Sequence, residues 1–339
     1  MKDADDAKAR AAEEKKKKEA ADAAKAAAKM KEGNVRPGKD REKEEWKQAT
    51  GTTEKYAEYD YRKRKYVEGG NTVVEKTLDV GEFSGDDLKE IVGKIKRLFT
   101  LLRPQDNALL KKQYEGEEID IESYMQYLID KRCGMNPEPR YFTQMRKDMR
   151  SVATMVLVDM SGSTENSAGN NKKIIEVEKE ALYVIAKALE AIGDTFSLCG
   201  FDAVEDKDET NFYTFKSFQS TRAKIPNMYA MNENRDGAAI RHATKKLLQT
   251  SEKLKLLIVI SDGEPLHGGT NYIGTYALED TKKAIEEARK AGVKPFGIIV
   301  GNHEREEFAK MYGNDLLMVR NVTELPELLL RLYKRLTIG

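Results

Sequence analysis

Carboxylate and hydroxyl side chains follow two apolar segments of the chain. Asp159, Ser161 and Ser163 come directly after the apolar run 152–158, and Asp262 comes after the run 254–260. Oxygen ligands of these kinds suit a hard divalent cation. Two hydroxyls and two carboxylates do not complete the coordination of such an ion, so water or an incoming ligand has to supply the rest. The pattern predicts a site for Mg2+, or for Mn2+ or Ca2+ in its place.

The elements that position these side chains are an alternating series of strands and helices. The continuous apolar run 152–158 is typical of a strand buried on both faces of a parallel sheet. Further strand-like runs are 195–201, 212–218, 254–260, 293–300 and 316–319, and the helical patterns are 172–192, 238–249, 278–291, 303–312 and 323–337. The fold class is therefore α/β, a doubly wound, mostly parallel sheet flanked by helices. Ligands bind at the carboxyl ends of the strands in such sheets, so both oxygen-bearing groups are predicted at one edge.

The other reactive side chains do not indicate catalysis. The chain has no Gly-x-x-x-x-Gly-Lys-Ser/Thr phosphate-binding loop. His242, His267 and His303 are not spaced as metal ligands. Ser161 with His267 as its base would suit hydrolysis, but a place for His267 in the loop beside the metal is the simpler interpretation. We predict a binding protein rather than an enzyme.

The Asp-x-Ser-x-Ser motif after a buried strand, with Ser-Asp-Gly after a later strand, resembles the metal-ion-dependent adhesion site of von Willebrand factor A domains. The resemblance implies that residues 151–339 form such a domain. It also implies that Ser161 and Ser163 bind the metal directly, and that Asp159 and Asp262 bind it directly or through water. The threonine that these domains supply from a middle loop is replaced here by Ala238. Asp236 is the candidate ligand in its place, or a water fills the position. Asp236 could equally be the N-cap of the helix that follows, and one residue could do both.

A closer resemblance, over roughly 56–339, is to the carboxy-terminal part of NorD and CbbO proteins. It rests on short stretches at 59–62, 102–104, 116–120, 236–243, 261–265, 278–281, 288–292 and 295–297. Members of this group work with a MoxR-type AAA+ ATPase to activate a target enzyme. The resemblance implies a cytoplasmic adaptor. Its metal site would dock an acidic residue of the ATPase hexamer or of the target.

Composition separates the rest of the chain into two regions. The chain has 339 residues, of which 59 are Lys or Arg and 58 are Asp or Glu. This balance argues against a nucleic-acid binder, and no apolar run is long enough to insert into a membrane. Residues 1–45 are almost entirely Ala, Lys, Glu and Asp, which predicts a disordered or single-helix tail. Residues 46–150 are predicted to be a strap and a helical lead-in.

The segment 56–66 in this second region has two interpretations. It interleaves tyrosines with the basic run 62–65, a pattern found in single-strand nucleic-acid platforms. Neighbouring acidic residues weaken that interpretation and favour a strap whose aromatic side chains pack onto the domain. The alternative to the adaptor is therefore a stand-alone interaction module that binds nucleic acid through 56–66.

Overall fold

The apolar runs form the centre of an eight-stranded sheet. The computed structural model describes residues 52–78, 80–102, 107–147, 151–169, 172–263, 268–270, 272–301 and 305–338. In chain order its strands are β1 (Thr53–Asp60), β2 (Lys65–Lys76), β3 (Asn107–Gln113), β4 (Glu118–Ile119), β5 (Phe142–Lys147), β6 (Val152–Asp159), β7 (Ser167–Gly169), β8 (Lys172–Lys173), β9 (Thr195–Ala203), β10 (Glu209–Lys216), β11 (Leu254–Ser261), β12 (Val293–Val300) and β13 (Leu316–Val319). The α-helices are α1 (Lys89–Thr100), α2 (Ile121–Arg132), α3 (Ile174–Ile192), α4 (Asp236–Leu248), α5 (Thr275–Lys290), α6 (Arg305–Tyr312) and α7 (Leu325–Ile338).

The strand order of the large sheet is β1-β2-β10-β9-β6-β11-β12-β13. The pairs β1–β2 and β9–β10 are antiparallel, and the other five neighbouring pairs are parallel. The predicted mostly parallel α/β sheet is confirmed. From β6 the chain passes to β9 on one side and later returns to β11 on the other side. The order therefore reverses at β6, which is where a ligand crevice is expected in this architecture.

Helices cover the central strands on both faces. All eight residues of β6 are buried, which requires apolar cover above and below the sheet. On one face α3 packs against α7, and on the other α5 packs between α4 and α6. The predicted helices all appear, with ends displaced by a few residues. No described helix is long and apolar enough to cross a membrane.

The segment 53–76, predicted as a strap, adds two strands to the large sheet. β2 pairs in parallel with β10, and β1 covers the outer edge of β2. Two of its tyrosines, Tyr56 and Tyr59, contact the rest of the domain, as the strap interpretation expects. The Tyr56 hydroxyl lies 2.9 Å from His242 Nδ1. The backbone N–H of Tyr59 donates to Asp280 Oδ1 at 2.7 Å.

Residues 100–151 form a compact unit of their own, separate from the unit made of the described residues before 100 and from 152 onward. A small antiparallel sheet of order β3-β5-β4 accompanies α2 in this unit. The helix predicted near 120–132 is present as α2. The three strands were not predicted, so describing this region as a helical lead-in was incomplete. Short strands with polar outer faces produce a weak periodic signal in the sequence.

Some predictions concern residues outside the described ranges. These are the charged tail 1–45 with Trp46, and the two loop histidines, His267 and His303. The predicted division of the chain at residues 46 and 151 stays a prediction.

Candidate metal centre

Asp159 is the last residue of β6 and lies where the strand order reverses. The register of β6 with β11 pairs Val158 with Ile260, which sets Asp159 beside Ser261. The Ser261 hydroxyl donates to Asp159 Oδ2 at 3.2 Å, and the side-chain amide of Asn234 donates to the same oxygen at 2.7 Å. The backbone N–H of Ser161 donates to Asp159 Oδ1 at 2.8 Å. These donors hold the carboxylate in one orientation.

The two serines of the motif lie in the turn that leaves β6. Ser161 precedes a short 3-10 helix, Gly162–Glu165, and the Thr164 hydroxyl donates to the Ser161 carbonyl at 2.6 Å. The Oγ atoms of Ser161 and Ser163 are 3.0 Å apart. Adjacent oxygens in an octahedral Mg2+ shell are about 2.9 Å apart, given metal–oxygen distances of 2.0–2.1 Å. The turn therefore presents the two hydroxyls at a spacing that fits neighbouring ligands of one cation.

Asp236 approaches this region from the first turn of α4. It is 4% exposed, and its Oδ1 atom has no hydrogen-bond partner among the described residues. Arg235 occupies the N-cap position, and no side-chain cap bond is formed. The N-cap interpretation of Asp236 is therefore wrong, and the two other interpretations, Asp236 as a ligand or a water in place of the threonine, stay predictions. An unpartnered buried carboxylate oxygen is the kind of group that a bound cation would satisfy.

Asp262 follows β11 and is 2% exposed. The next residue, Gly263, has a φ of +82°, and a Cβ atom there would lie 2.2 Å from the Phe308 ring. Only glycine combines that backbone conformation with so close an approach. The Gly263 N–H donates to the Ser261 hydroxyl at 2.9 Å, which closes the turn that carries Asp262.

Glu178 was missed by the sequence analysis. It lies on α3, is 0% exposed, and neither carboxyl oxygen has a hydrogen-bond partner among the described residues. The charges that act on it are those of Asp159, Asp262 and Asp236. A signal was available, because Glu178 is four residues from Ile174 and four from Leu182, in phase with the apolar face of the helix. Charged residues are rarely buried, so a glutamate on an otherwise apolar helix face points to a special role for that side chain.

Burial and mutual repulsion dominate the electrostatics of this group. Burial raises the pKa of the Asp159 carboxyl, even though the donors around it favour the charged form. Burial, followed by the neighbouring carboxylates, raises the pKa values of Asp236 and Glu178 well above the usual range. A buried set of negative charges needs a positive partner or protons. The residues therefore fit a divalent cation in their charge and in their unpartnered oxygens.

The carboxylates do not form a metal cluster by themselves. Within the part of the chain that the structure describes, no three His, Cys, Asp or Glu side chains converge closely enough to hold an ion. A cation here would need the serine hydroxyls as ligands and water between the ion and some of the carboxylates.

Arg235 ties the site to the hairpin β1–β2. This side chain is 1% exposed and forms an ion pair with the buried Glu58 of β1. It also donates to Asp208 Oδ1 at 2.6 Å and to the Thr270 hydroxyl. Its neighbours in sequence are Asn234, which donates to Asp159, and Asp236, whose Oδ1 atom has no hydrogen-bond partner among the described residues. The position of the hairpin and the positions of two site residues thus depend on one stretch of backbone.

Comparison with known proteins agrees with this geometry. The family model described as von Willebrand factor type A domain matches residues 155–330, just over half of the chain. The chain belongs to the von Willebrand factor type A domain family. The match covers the strands and helices that hold all the candidate ligands.

Three curated relatives of this von Willebrand A-type chain extend the similarity beyond the domain. An uncharacterized protein of Pseudomonas aeruginosa is 30% identical over 83% of this chain and 47% of its own length. Protein NorD of Stutzerimonas stutzeri is 31% identical over 67% of this chain and 37% of its own. Protein NorD of Brucella suis is 31% identical over 83% and 45%. The chain spans about half the length of these relatives or less.

Proposed function

We propose that this chain is a metal-dependent protein-binding adaptor that works with a MoxR-type AAA+ ATPase on a target enzyme. The observation that carries the proposal is the pair of serine hydroxyls, 3.0 Å apart, beside buried carboxylates that include the unpartnered Oδ1 of Asp236. The similarity to NorD proteins supports the choice of partner. The function is binding rather than catalysis, and we place it in the cytoplasm with the ATPase.

Ser161 and Ser163 would hold the cation through their hydroxyls, with Asp159, Asp236 and Asp262 binding directly or through water. When bound, Mg2+, Mn2+ or Ca2+ supplies a positive centre with a coordination position open to a partner carboxylate. Charge-assisted contacts of this kind add specificity and a faster encounter to a protein interface. The protein's own part is to hold the oxygens in place and to keep the carboxylates away from bulk water.

The nucleic-acid alternative gains no support from the hairpin. Tyr56 and Tyr59 contact the helices beneath them, through His242 and through Lys283, whose Nζ lies 5.0 Å from the Tyr59 ring centre. Rings that are used for packing are not available to stack on bases.

A co-purification assay tests the adaptor proposal. The full chain is used as bait for its MoxR-type ATPase with Mg2+ or with EDTA, and the double variant Ser161→Ala with Ser163→Ala is compared with the wild type. EDTA and the double variant are both expected to reduce recovery of the ATPase at least about tenfold, as expected for loss of metal ligation. The control is Ser217→Ala with Ser220→Ala, since these hydroxyls form a similar pair, 2.9 Å apart, outside the site. Equal recovery in all samples would refute the proposal.

A further inference from the structure

Glu178 differs from three other buried acids of the described residues, Asp280, Asp202 and Glu58. Asp280 accepts from the Tyr59 backbone N–H and from Arg241, each at 2.7 Å. Asp202 accepts from two asparagines and a tyrosine at 2.8–2.9 Å, and Glu58 is paired with Arg235. Glu178 is as deeply buried, yet its carboxyl oxygens accept no hydrogen bond within the described residues. Leaving a buried carboxyl group unpartnered is costly, so such a group points to something that partners it.

The surroundings of Glu178 show what that partner would be. Helix α3 packs against β6 and β11, the two strands whose ends carry Asp159 and Asp262. The charged groups that act on Glu178 are these two aspartates and Asp236. All three are acidic, so they repel the carboxylate of Glu178 rather than compensate it. A divalent cation held by the serine hydroxyls would attract all four carboxylates, directly or through water.

The position of Glu178 also excludes an ordinary role on a helix surface. On the same helix, Glu176 accepts from the Lys173 N–H at 2.9 Å, and Glu180 pairs with Lys172 at 2.6 Å. Glu190 pairs with Lys187 at 2.8 Å. These glutamates have local partners and some exposure to solvent. Glu178 lies on the inner face of α3 and has neither.

We propose that Glu178 is a fourth carboxylate of the cation site, supplied by α3 from beneath the loop that carries the two serines. This assignment rests on the proposed metal site and extends it by a residue outside the Asp-x-Ser-x-Ser pattern. Its role is to bind the ion or an ion-bound water and to raise the affinity of the site. It also links the position of α3 to metal occupancy, because the helix gains its missing contact only when the ion is bound.

Calorimetric titration of the metal-free full chain with MnCl2 and with MgCl2 tests this assignment. Glu178→Gln keeps the size of the side chain and removes its charge. It is expected to weaken cation binding about 10- to 100-fold, the range found when a supporting carboxylate of a metal site is lost. Glu190→Gln is the matched control on the same helix and is expected to bind as the wild type does.

Thermal unfolding of the same proteins separates a metal role from a packing role. In EDTA, Glu178→Gln is expected to melt at or above the wild-type temperature, because it replaces a buried carboxyl group that accepts no hydrogen bond within the described residues. With Mn2+, the wild type is expected to gain stability, as a ligand that binds only the folded state requires, and the variant to gain much less. If Glu178→Gln does not fold, Glu178→Asp, which keeps the charge but withdraws the carboxylate, is titrated instead with the same expectation.

Three results would overturn the assignment in distinguishable ways. Cation affinity in Glu178→Gln equal to the wild type would remove Glu178 from the site and leave the proposed adaptor function standing. A variant destabilised equally in EDTA and in Mn2+ would show a packing role alone. A wild-type chain that binds neither ion would overturn the assignment together with the proposed metal-dependent function.

Discussion

The buried ion pair between Glu58 and Arg235 connects the β1–β2 hairpin to the rest of the sheet, and its removal gives the sharpest stability prediction. Arg235→Met keeps most of the side-chain length and removes the charge. Among the described residues, the Tyr276 hydroxyl, 3.4 Å from Oε2, is then the hydrogen-bond partner that remains for the buried Glu58. Breaking a buried pair by removing one partner costs about 3–5 kcal/mol, because the other charge stays desolvated. We expect the free energy of unfolding to fall by that amount at pH 8.

The pH dependence of this loss follows from the titration of Glu58. Burial raises the pKa of the Glu58 carboxyl to about 7, because desolvation outweighs the attraction of Arg235. This folded value lies above the unfolded one, so the carboxyl holds a proton in the folded state through the range between them. The pair is fully charged only above about pH 7. We expect Arg235→Met to lose clearly less stability at pH 5.5 than at pH 8.

Urea unfolding followed by circular dichroism measures both quantities. A loss of about 3 kcal/mol should also lower the melting temperature by about 6–12 °C, at roughly 2–4 °C per kcal/mol for a domain of this size. Arg222→Met is the control, since its pair with Glu82 is exposed and 3.7 Å long and should be worth under about 1 kcal/mol. In a double-mutant cycle, Glu58→Gln with Arg235→Met should lose less than the sum of the single changes. Additive losses, or a loss in Arg235→Met no larger than the control's, would refute the reasoning.

Three further predictions concern other parts of the structure. Gly85→Ala is expected to destabilise the fold by about 2–4 kcal/mol, because φ is +62° and the new Cβ would lie 2.5 Å from the Tyr183 ring. Gly193→Ala is the control, since its Cβ would meet no neighbour and the cost is only the left-handed strain of about 1–2 kcal/mol. His242→Gln is expected to lessen the fall in the free energy of unfolding between pH 6.5 and 5. Burial lowers the pKa of this imidazole, so as the pH falls the unfolded state of the wild type takes up the proton first, and this favours unfolding. Asn234→Ala is expected to weaken Mn2+ binding about 10- to 100-fold in titration calorimetry, through loss of its bond to the aspartate of β6.

Each of these predictions has a clear contrary result. Equal losses in the two glycine variants by urea unfolding would mean that the Tyr183 ring moves aside without cost. An unchanged pH profile for His242→Gln would point to other groups, since Glu54, Glu75 and Lys246 also act on this histidine. The two glutamates have lowered pKa values and lose their contribution only at more acidic pH. Asn232→Ala is the matched control for the amide, because Asn232 donates to Asp202 instead, and equal metal affinities in both variants would refute the positioning role of Asn234.

Local patterns in the sequence were enough to identify the central fold. The run 152–158 is apolar at every position except Thr154, and a strand buried on both faces accounts for that composition wherever its neighbours lie. The polar residues after this run and after 254–260 therefore had to lie at the carboxyl edge of one sheet. Their identities, Asp and Ser, indicate a site for a hard cation.

The edge of the sheet could not be predicted in the same way. Strands β1 and β2 are rich in charged residues, and β2 finds its parallel partner, β10, more than 130 residues further along the chain. Pairing over that distance is decided by the assembled core and leaves no periodic signature in either segment. The three strands of the unit 100–151 were missed for a related reason, since they are short.

The site shows the same division between local and nonlocal information. The sequence by itself determined Asp159, Ser161, Ser163 and Asp262 as candidates, because their positions after strands are local properties. Only the tertiary structure decided that Asp236 does not occupy the N-cap position and that Glu178 is buried without a hydrogen-bond partner among the described residues. The sequence shows which side chains carry charge. What surrounds each charge, and whether anything compensates it, depends on elements that meet only when the chain is folded.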